Sequence, residues 1–233
     1  MRSLLISLLV VAALSGCGHP VFTDAPSLDV EGVVFVSLYP LADSTVSTGN
    51  ITAFCVEKKN GIATFLTVSH GIAGADHITV GPHADAAFIV RVDPDKDLVA
   101  FKCLDRDNYV ALPMGKIPQR FDRVWGIGVV PERFLLTLPG KPVCAWIWYT
   151  CPGTIVTSQL GPYRCASMSI RRGFSGGPVL DDRGAIVGMM QMSDVPQQYV
   201  AVDRAGRRMH INPASANVYF ITVDYLKTFL DLD

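Results

Sequence analysis

One serine of the chain lies in a setting that suits a nucleophile. Residues 173–178 read Gly-Phe-Ser-Gly-Gly-Pro, so Ser175 stands among glycines and is followed closely by a proline. A serine hydroxyl attacks a carbonyl efficiently when a base takes its proton and a third group orients that base. The same letters also fit Gly-x-Ser-x-Gly, which belongs to a different class of hydrolase. The rest of the chain has to distinguish the two classes.

The predicted base is His70. It follows the apolar run 63–68 and precedes the small residues 71–75. A strand that ends here and turns away places the imidazole at a strand end, facing a cleft. The remaining histidines lie in a predicted tether, beside a short strand-like piece or in a late polar loop, and are His19, His77, His83 and His210.

The predicted orienting acid is Asp97, which opens the apolar run 98–101. A carboxylate on the first residue of a buried strand is shielded and accepts a hydrogen bond from an imidazole N–H. Loss of such an acid costs about 10⁴ in turnover in a well-studied triad. Taken alone, Asp97 is better explained as a turn residue before a strand, and Asp93 and Asp95 stay open as the acid. No cysteine spacing indicates a zinc site, and we expect no metal or cofactor.

Composition favours a packed globular protein that can shelter such a site. Hydrophobic residues make up 49% of the chain and charged residues 18%, so we expect a core and no disorder. The formal net charge is -1 and the chain has no long basic run. A nucleic-acid partner therefore has no electrostatic support.

The apolar residues fall in short runs, rich in Val, Ile, Phe or Thr, that are typical of β-strands. The runs are 33–38, 51–56, 63–68, 88–92, 98–103, 124–130, 143–149, 154–157, 185–192 and 199–202. Turn signals at 58–61 and 181–184 separate some of them. An apolar stripe at helical spacing occurs only near the end, from Phe220 to Leu230. We predict an all-β protein, a barrel or a pair of barrels, closed by a C-terminal helix.

The order His70, Asp97, Ser175 in an all-β chain resembles the chymotrypsin-like (trypsin-like) serine peptidases. Three pieces carry the resemblance: residues 68–70 are similar to the end of the family's histidine strand, 97–101 to its aspartate motif and 173–178 to its serine motif. Residues 124–128, 153–158, 182–188 and 221–226 resemble the bacterial branch that includes the periplasmic HtrA-like proteases. We expect no PDZ module, because no residues remain for one.

The resemblance implies a fold of two six-stranded β-barrels within a protease domain at 31–233. The expected first barrel spans about 31–115, the second about 120–215, and the C-terminal helix about 220–231. It also implies a serine endopeptidase that acts on protein or peptide substrates. Its oligomeric state is left open.

The resemblance assigns a role to each residue of the site. Ser175 attacks the peptide carbonyl, His70 transfers the proton, and Asp97 orients the imidazole. The backbone N–H groups of Gly173 and Ser175 form the oxyanion hole. Phe174 stands where family members that are activated by cleavage carry an aspartate, so we expect no such zymogen switch.

The substrate pocket is assigned less specifically. In the resembled family it is formed by the segment before the serine and by the strand after it, here 166–172 and 190–193. We expect Ser169 near the base of the pocket, which implies that the pocket has no fixed acidic group to bind a Lys or Arg side chain of the substrate. Gln191 or Met192 is expected to pair with the substrate backbone.

Three alternatives to a bacterial envelope peptidase fit parts of the sequence. An α/β-hydrolase needs a helix after the serine and then an acid and a histidine, but Pro178 disfavours that helix and only His210 follows. An inactive trypsin-like lipoprotein that serves as a binding or scaffold module is consistent with the same triad residues and glycine-rich loop. A virus- or phage-encoded processing protease shares the fold, and the N-terminus argues mildly against it.

The N-terminus has the features of a processing segment. Arg2 precedes the apolar run 4–14, which is short for a membrane span and typical of a signal peptide. The following Leu-Ser-Gly-Cys, ending at Cys17, resembles the bacterial lipobox. We predict a removed signal peptide at 1–16, lipidation of Cys17 and a tether at 17–30. An ordinary signal peptide cleaved near a cysteine is the alternative.

Lipidation at Cys17 implies a protein anchored to a bacterial envelope membrane, facing the periplasm or the exterior. In that oxidising compartment the chain after Cys17 keeps Cys55, Cys103, Cys144, Cys151 and Cys165, and their pairing is left open. Cys144, Cys151 and Cys165 cluster in the sequence and are the expected source of a bridge.

Overall fold

The protein, in a computed structural model, is built mostly from β-strands. The structure describes residues 28, 30–41, 47, 49–134, 143–157, 161–168, 170, 173–193, 199–202, 208–211 and 216–231. The first half contains β1 (Val33–Tyr39), β2 (Gly49–Lys59), β3 (Ile62–Thr67), α1 (Ser69–Ile72), β4 (His77–Val80), β5 (Asp85–Ala86), β6 (Phe88–Asp93) and β7 (Leu98–Leu104). The second half contains β8 (Arg123–Phe134), β9 (Val143–Ile155), β10 (Tyr163–Met168), β11 (Pro178–Leu180), β12 (Ile186–Ser193), β13 (Tyr199–Val202), β14 (Arg208–Ile211), β15 (Ala216–Thr222) and α2 (Val223–Leu230).

Strands β1 to β7 form one curled antiparallel sheet in the order β5-β4-β1-β2-β3-β7-β6. The predicted hairpin between β2 and β3 is confirmed, because Asn60 and Gly61 both have positive φ, 54° and 74°, and Lys59 pairs with Ile62. This half has seven strands where six were predicted. The additional strand, β5, has only two residues and pairs with β4.

Strands β8 to β12 and β15 form the predicted closed six-stranded barrel, in the order β10-β15-β12-β11-β8-β9. The prediction of separate strands at 143–149 and 154–157 was wrong, because one strand, β9, runs through to Ile155. Pro152 and Gly153 do not break it, since they pair with Trp125 and Val124 of β8.

The C-terminal helix α2 begins later than the apolar stripe suggested. Phe220 and Ile221 belong to β15, where they pair with Met190 and Met189 of β12. Because strand and helix both present apolar residues to the core here, the stripe did not reveal the boundary. The helix ends at Leu230 and is capped by Asp231, whose φ is 55° and whose N–H bonds to carbonyls of the last turn. In the described part of the chain, no helix is both long and apolar enough to cross a membrane.

The sheet and the barrel share one hydrophobic core. Phe54 and Leu66 of the sheet are fully buried in the same cluster as Trp125 and Ile127 of the barrel. The indole N–H of Trp148 also crosses the boundary and donates to the carbonyl of Val33 over 2.7 Å. This packing fixes the junction at which the end of β3, the start of β7 and the loop before β11 meet.

Candidate active site

His70 and Asp97, the predicted base and acid, are in direct contact. Nδ1 of His70 lies 2.6 Å from Oδ2 of Asp97. The other carboxylate oxygen, Oδ1, accepts the backbone N–H of His70 at 2.7 Å and the hydroxyl of Ser69 at 2.8 Å. The imidazole is 56% exposed and the carboxylate 27%. The acid is thus held by several donors, whereas the ring remains accessible.

Strand pairing explains how two residues far apart in sequence meet. Strands β3 and β7 are neighbours, with Thr67 opposite Val99, so the chain after β3 lies beside the chain before β7. The single turn α1 follows β3 and carries His70. Asp97 precedes β7 with φ 54°, a left-handed conformation that aspartate tolerates. Its carbonyl accepts the N–H of Ser69 over 3.3 Å, which ties the two strand ends together.

Ser175 lies in the turn that leads into β11, packed against the first sheet. Its carbonyl accepts the N–H of Thr52 over 3.3 Å. The next residue, Gly176, has φ 82°, and a Cβ added there would lie 2.3 Å from the carbonyl oxygen of Thr52 and 3.2 Å from the backbone nitrogen of Val68. No side chain fits at that position. The loop of Ser175 therefore lies against the segment that immediately precedes His70.

Gly173, the predicted oxyanion residue, has φ 98°, a conformation that side chains disfavour. The hydroxyl of Thr52 donates to its carbonyl over 2.5 Å. Thr52 was not identified from the sequence. A single threonine in an apolar strand carries no signal of a contact with the distant serine loop.

Phe174, between the predicted oxyanion residue and the nucleophile, is fully buried. Its ring occupies space that Gly128 leaves free, since a Cβ on Gly128 would lie 2.4 Å from the ring. Phe174 is therefore an apolar anchor in the core of the barrel.

The predicted pocket residues fall partly outside the described region. Ser169 lies outside it, as does Cys17, and Met192 is described only as part of strand β12. Gln191 is buried, and its amide donates to the carbonyl of Lys96 in the loop that carries Asp97. Its side chain thus faces the acid loop.

Other nucleophiles and acids are less suitably placed. Burial raises the pKa of the Cys55 and Cys103 thiols to about 12, so neither is a thiolate at neutral pH. The carboxylate of Asp93 accepts the Tyr225 hydroxyl over 2.7 Å, and this bond raises the pKa of Tyr225 to about 12. Asp93 thus serves to dock the C-terminal helix. Among the described residues, no group of three His, Cys, Asp or Glu side chains is placed to hold a metal ion.

The chain is similar to a known peptidase family and to a solved serine endoprotease structure. Residues 51–189 match the family model described as a trypsin-like peptidase domain. Among solved structures, the chain resembles a serine endoprotease from Yersinia pestis with a TM-score of 0.60 and 18% sequence identity. That match covers 87% of this chain but only 62% of the Yersinia chain, so this chain spans less than two thirds of its length. No curated protein sequence matches significantly.

Proposed function

Since the chain belongs to the trypsin-like peptidase family, a family of serine endopeptidases, we propose that it cleaves peptide bonds through Ser175, His70 and Asp97. The substrates are proteins or peptides. The observation that carries the proposal is the 2.6 Å contact between Nδ1 of His70 and Asp97. A neutral imidazole that donates from Nδ1 keeps Nε2 free to accept a proton.

The proposed reaction is acyl transfer in two halves. Oγ of Ser175 bonds to the scissile carbonyl carbon while its proton passes to Nε2 of His70. The C–N bond then breaks, and the amine leaves with that proton. Water attacks the acyl-enzyme in the same way, giving a proton to His70, and Ser175 leaves with it as the carboxylic acid product forms.

The surroundings support the charge changes of this cycle. The imidazolium that forms in each half lies against the Asp97 carboxylate, which already accepts two other donors. The N–H groups of Gly173 and Ser175 are the proposed donors to the oxyanion. Such preorganised donors are worth about 10²–10³ in rate for each one removed in another protease.

A protein-cleavage assay tests the proposal. The wild type should fragment an unfolded, fluorescently labelled protein, whereas Ser175→Ala should not. The matched control is Ser37→Ala, which removes a part-buried serine hydroxyl that bonds to Asn50 over 3.1 Å and not to a residue of the proposed triad. A folded wild type without cleavage, or equal cleavage by Ser175→Ala, contradicts the proposal. The first of these outcomes favours an inactive binding or scaffold module.

The proposed location is the bacterial envelope, with a lipid on Cys17. Support comes only from the signal-like run 4–14 and the lipobox-like residues that follow it. Mass spectrometry of the mature protein from a bacterial host should find an N-terminus at Cys17 with a diacylglyceryl mass. Cys17→Ser should abolish the modification. Cleavage elsewhere without lipid contradicts this location.

A further inference from the structure

Every polar group of Thr52 makes a hydrogen bond, and two of these groups bond to the loop that carries Ser175. The residue is fully buried on β2. Its hydroxyl donates to the carbonyl of Gly173 over 2.5 Å, and its N–H donates to the carbonyl of Ser175 over 3.3 Å. The hydroxyl also accepts the N–H of Val129 over 2.9 Å, and the Thr52 carbonyl accepts the Thr67 hydroxyl over 2.8 Å.

These contacts join the two halves of the molecule. Thr52 belongs to the first sheet and pairs with Phe35 of β1, whereas Gly173 and Val129 belong to the second half. Neither the strand nor its burial requires a hydroxyl, because a valine has the same shape and a higher preference for a buried strand. The hydroxyl is used for the contact across the junction.

The hydroxyl has one direction available for its proton. Its oxygen accepts the N–H of Val129, so the proton is free to point to the carbonyl of Gly173. Strand β8, which carries Val129, thereby orients the donor that holds the serine loop.

The geometry points to Thr52 as a positioning residue for the oxyanion-binding amide of Ser175. That N–H belongs to the peptide between Phe174 and Ser175. Thr52 holds the carbonyls of the peptides on either side of it, those of Gly173 and Ser175. A peptide plane rotates only when its neighbours compensate, so holding both neighbours keeps the Ser175 N–H directed to one place. The inference rests on the proposed function and extends it.

A pair of substitutions separates the hydroxyl from the shape of the side chain. Thr52→Val keeps the shape and removes the hydroxyl, whereas Thr52→Ser keeps the hydroxyl. With a peptide substrate, we expect Thr52→Val to lower kcat by about tenfold to 10²-fold, below the roughly 10²–10³-fold effect of losing an oxyanion donor itself. KM should change by less than about twofold, since an oxyanion contact forms chiefly in the transition state. Thr52→Ser should retain nearly full kcat.

The matched control is Thr64→Val. Thr64 is another buried strand threonine, but its hydroxyl faces Glu57 at 3.4 Å and not the serine loop. The kcat of Thr64→Val should equal that of the wild type. If Thr52→Val does not fold, Thr52→Cys provides the same comparison, because a thiol is a much weaker donor.

Several results overturn the inference. They are a folded Thr52→Val or Thr52→Cys with wild-type kcat, an equal loss of kcat in Thr52→Ser, or an equal loss in Thr64→Val. A change confined to KM also overturns it. Each of these requires an active wild type, so they are distinct from failure of the proposed function, in which the wild type itself does not cleave.

Discussion

Asp97→Asn is expected to lower kcat by about 10⁴-fold while the protein stays folded. The carboxylate accepts hydrogen bonds on both oxygens, from Nδ1 of His70 on one and from the His70 N–H and Ser69 hydroxyl on the other. An asparagine amide has only one oxygen. Either its NH₂ group faces Nδ1 and forces the proton onto Nε2, or it faces the His70 backbone N–H, donor against donor. Both arrangements impair the base.

The measurement is kcat for a peptide substrate, with thermal unfolding as the check on folding. Asp93→Asn and Asp95→Asn are the matched controls, since both residues were alternative acids in the sequence. They should retain kcat within about tenfold of the wild type. A folded Asp97→Asn with kcat in that same range, or a large loss in either control, transfers the role of the acid to another residue.

Phe174→Ala is expected to reduce the free energy of unfolding by about 3–5 kcal/mol, the usual range for a fully buried phenylalanine. The ring fills the space left by Gly128, so its removal leaves a cavity beside the nucleophile. Urea unfolding of Phe174→Ala and its parent, both carrying Ser175→Ala to prevent self-cleavage, measures the loss.

Phe88→Ala is the control for this substitution. Phe88 is 71% exposed on β6, so its loss should cost well under 1 kcal/mol. A comparable effect of the two substitutions contradicts the role of Phe174 as a core anchor.

Local patterns explain why much of the fold was predictable. The β2–β3 hairpin follows from Asn60-Gly61, and most strands follow from short apolar runs rich in β-branched residues. The boundary between β15 and α2 was not predictable, because apolar residues such as Phe220 and Ile221 pack into the core from a strand as well as from a helix. The sequence predicted two strands where the structure has the single strand β9, because Pro152 and Gly153 usually interrupt strands. Local rules cannot anticipate that a neighbouring strand pairs with them.

The candidate site likewise has a part that was predictable from the sequence and a part that was not. His70, Asp97 and Ser175 each lie in a recognisable local motif, so the sequence was sufficient to propose them. Thr52, and the contact of Gln191 with the loop of Asp97, could not be predicted, because these polar side chains bond to partners 121 and 95 residues away in the sequence. Such contacts depend on how the two halves dock, which no local pattern encodes.

The reaction of the purified protein with a fluorophosphonate probe tests the proposed nucleophile most directly. Such a probe phosphonylates a serine only when a base activates its hydroxyl. Mass spectrometry should locate a single adduct on Ser175 in the wild type, and folded His70→Ala should carry none. A folded wild type without an adduct, or one modified at a different serine, contradicts the assignment of Ser175 as a nucleophile activated by His70.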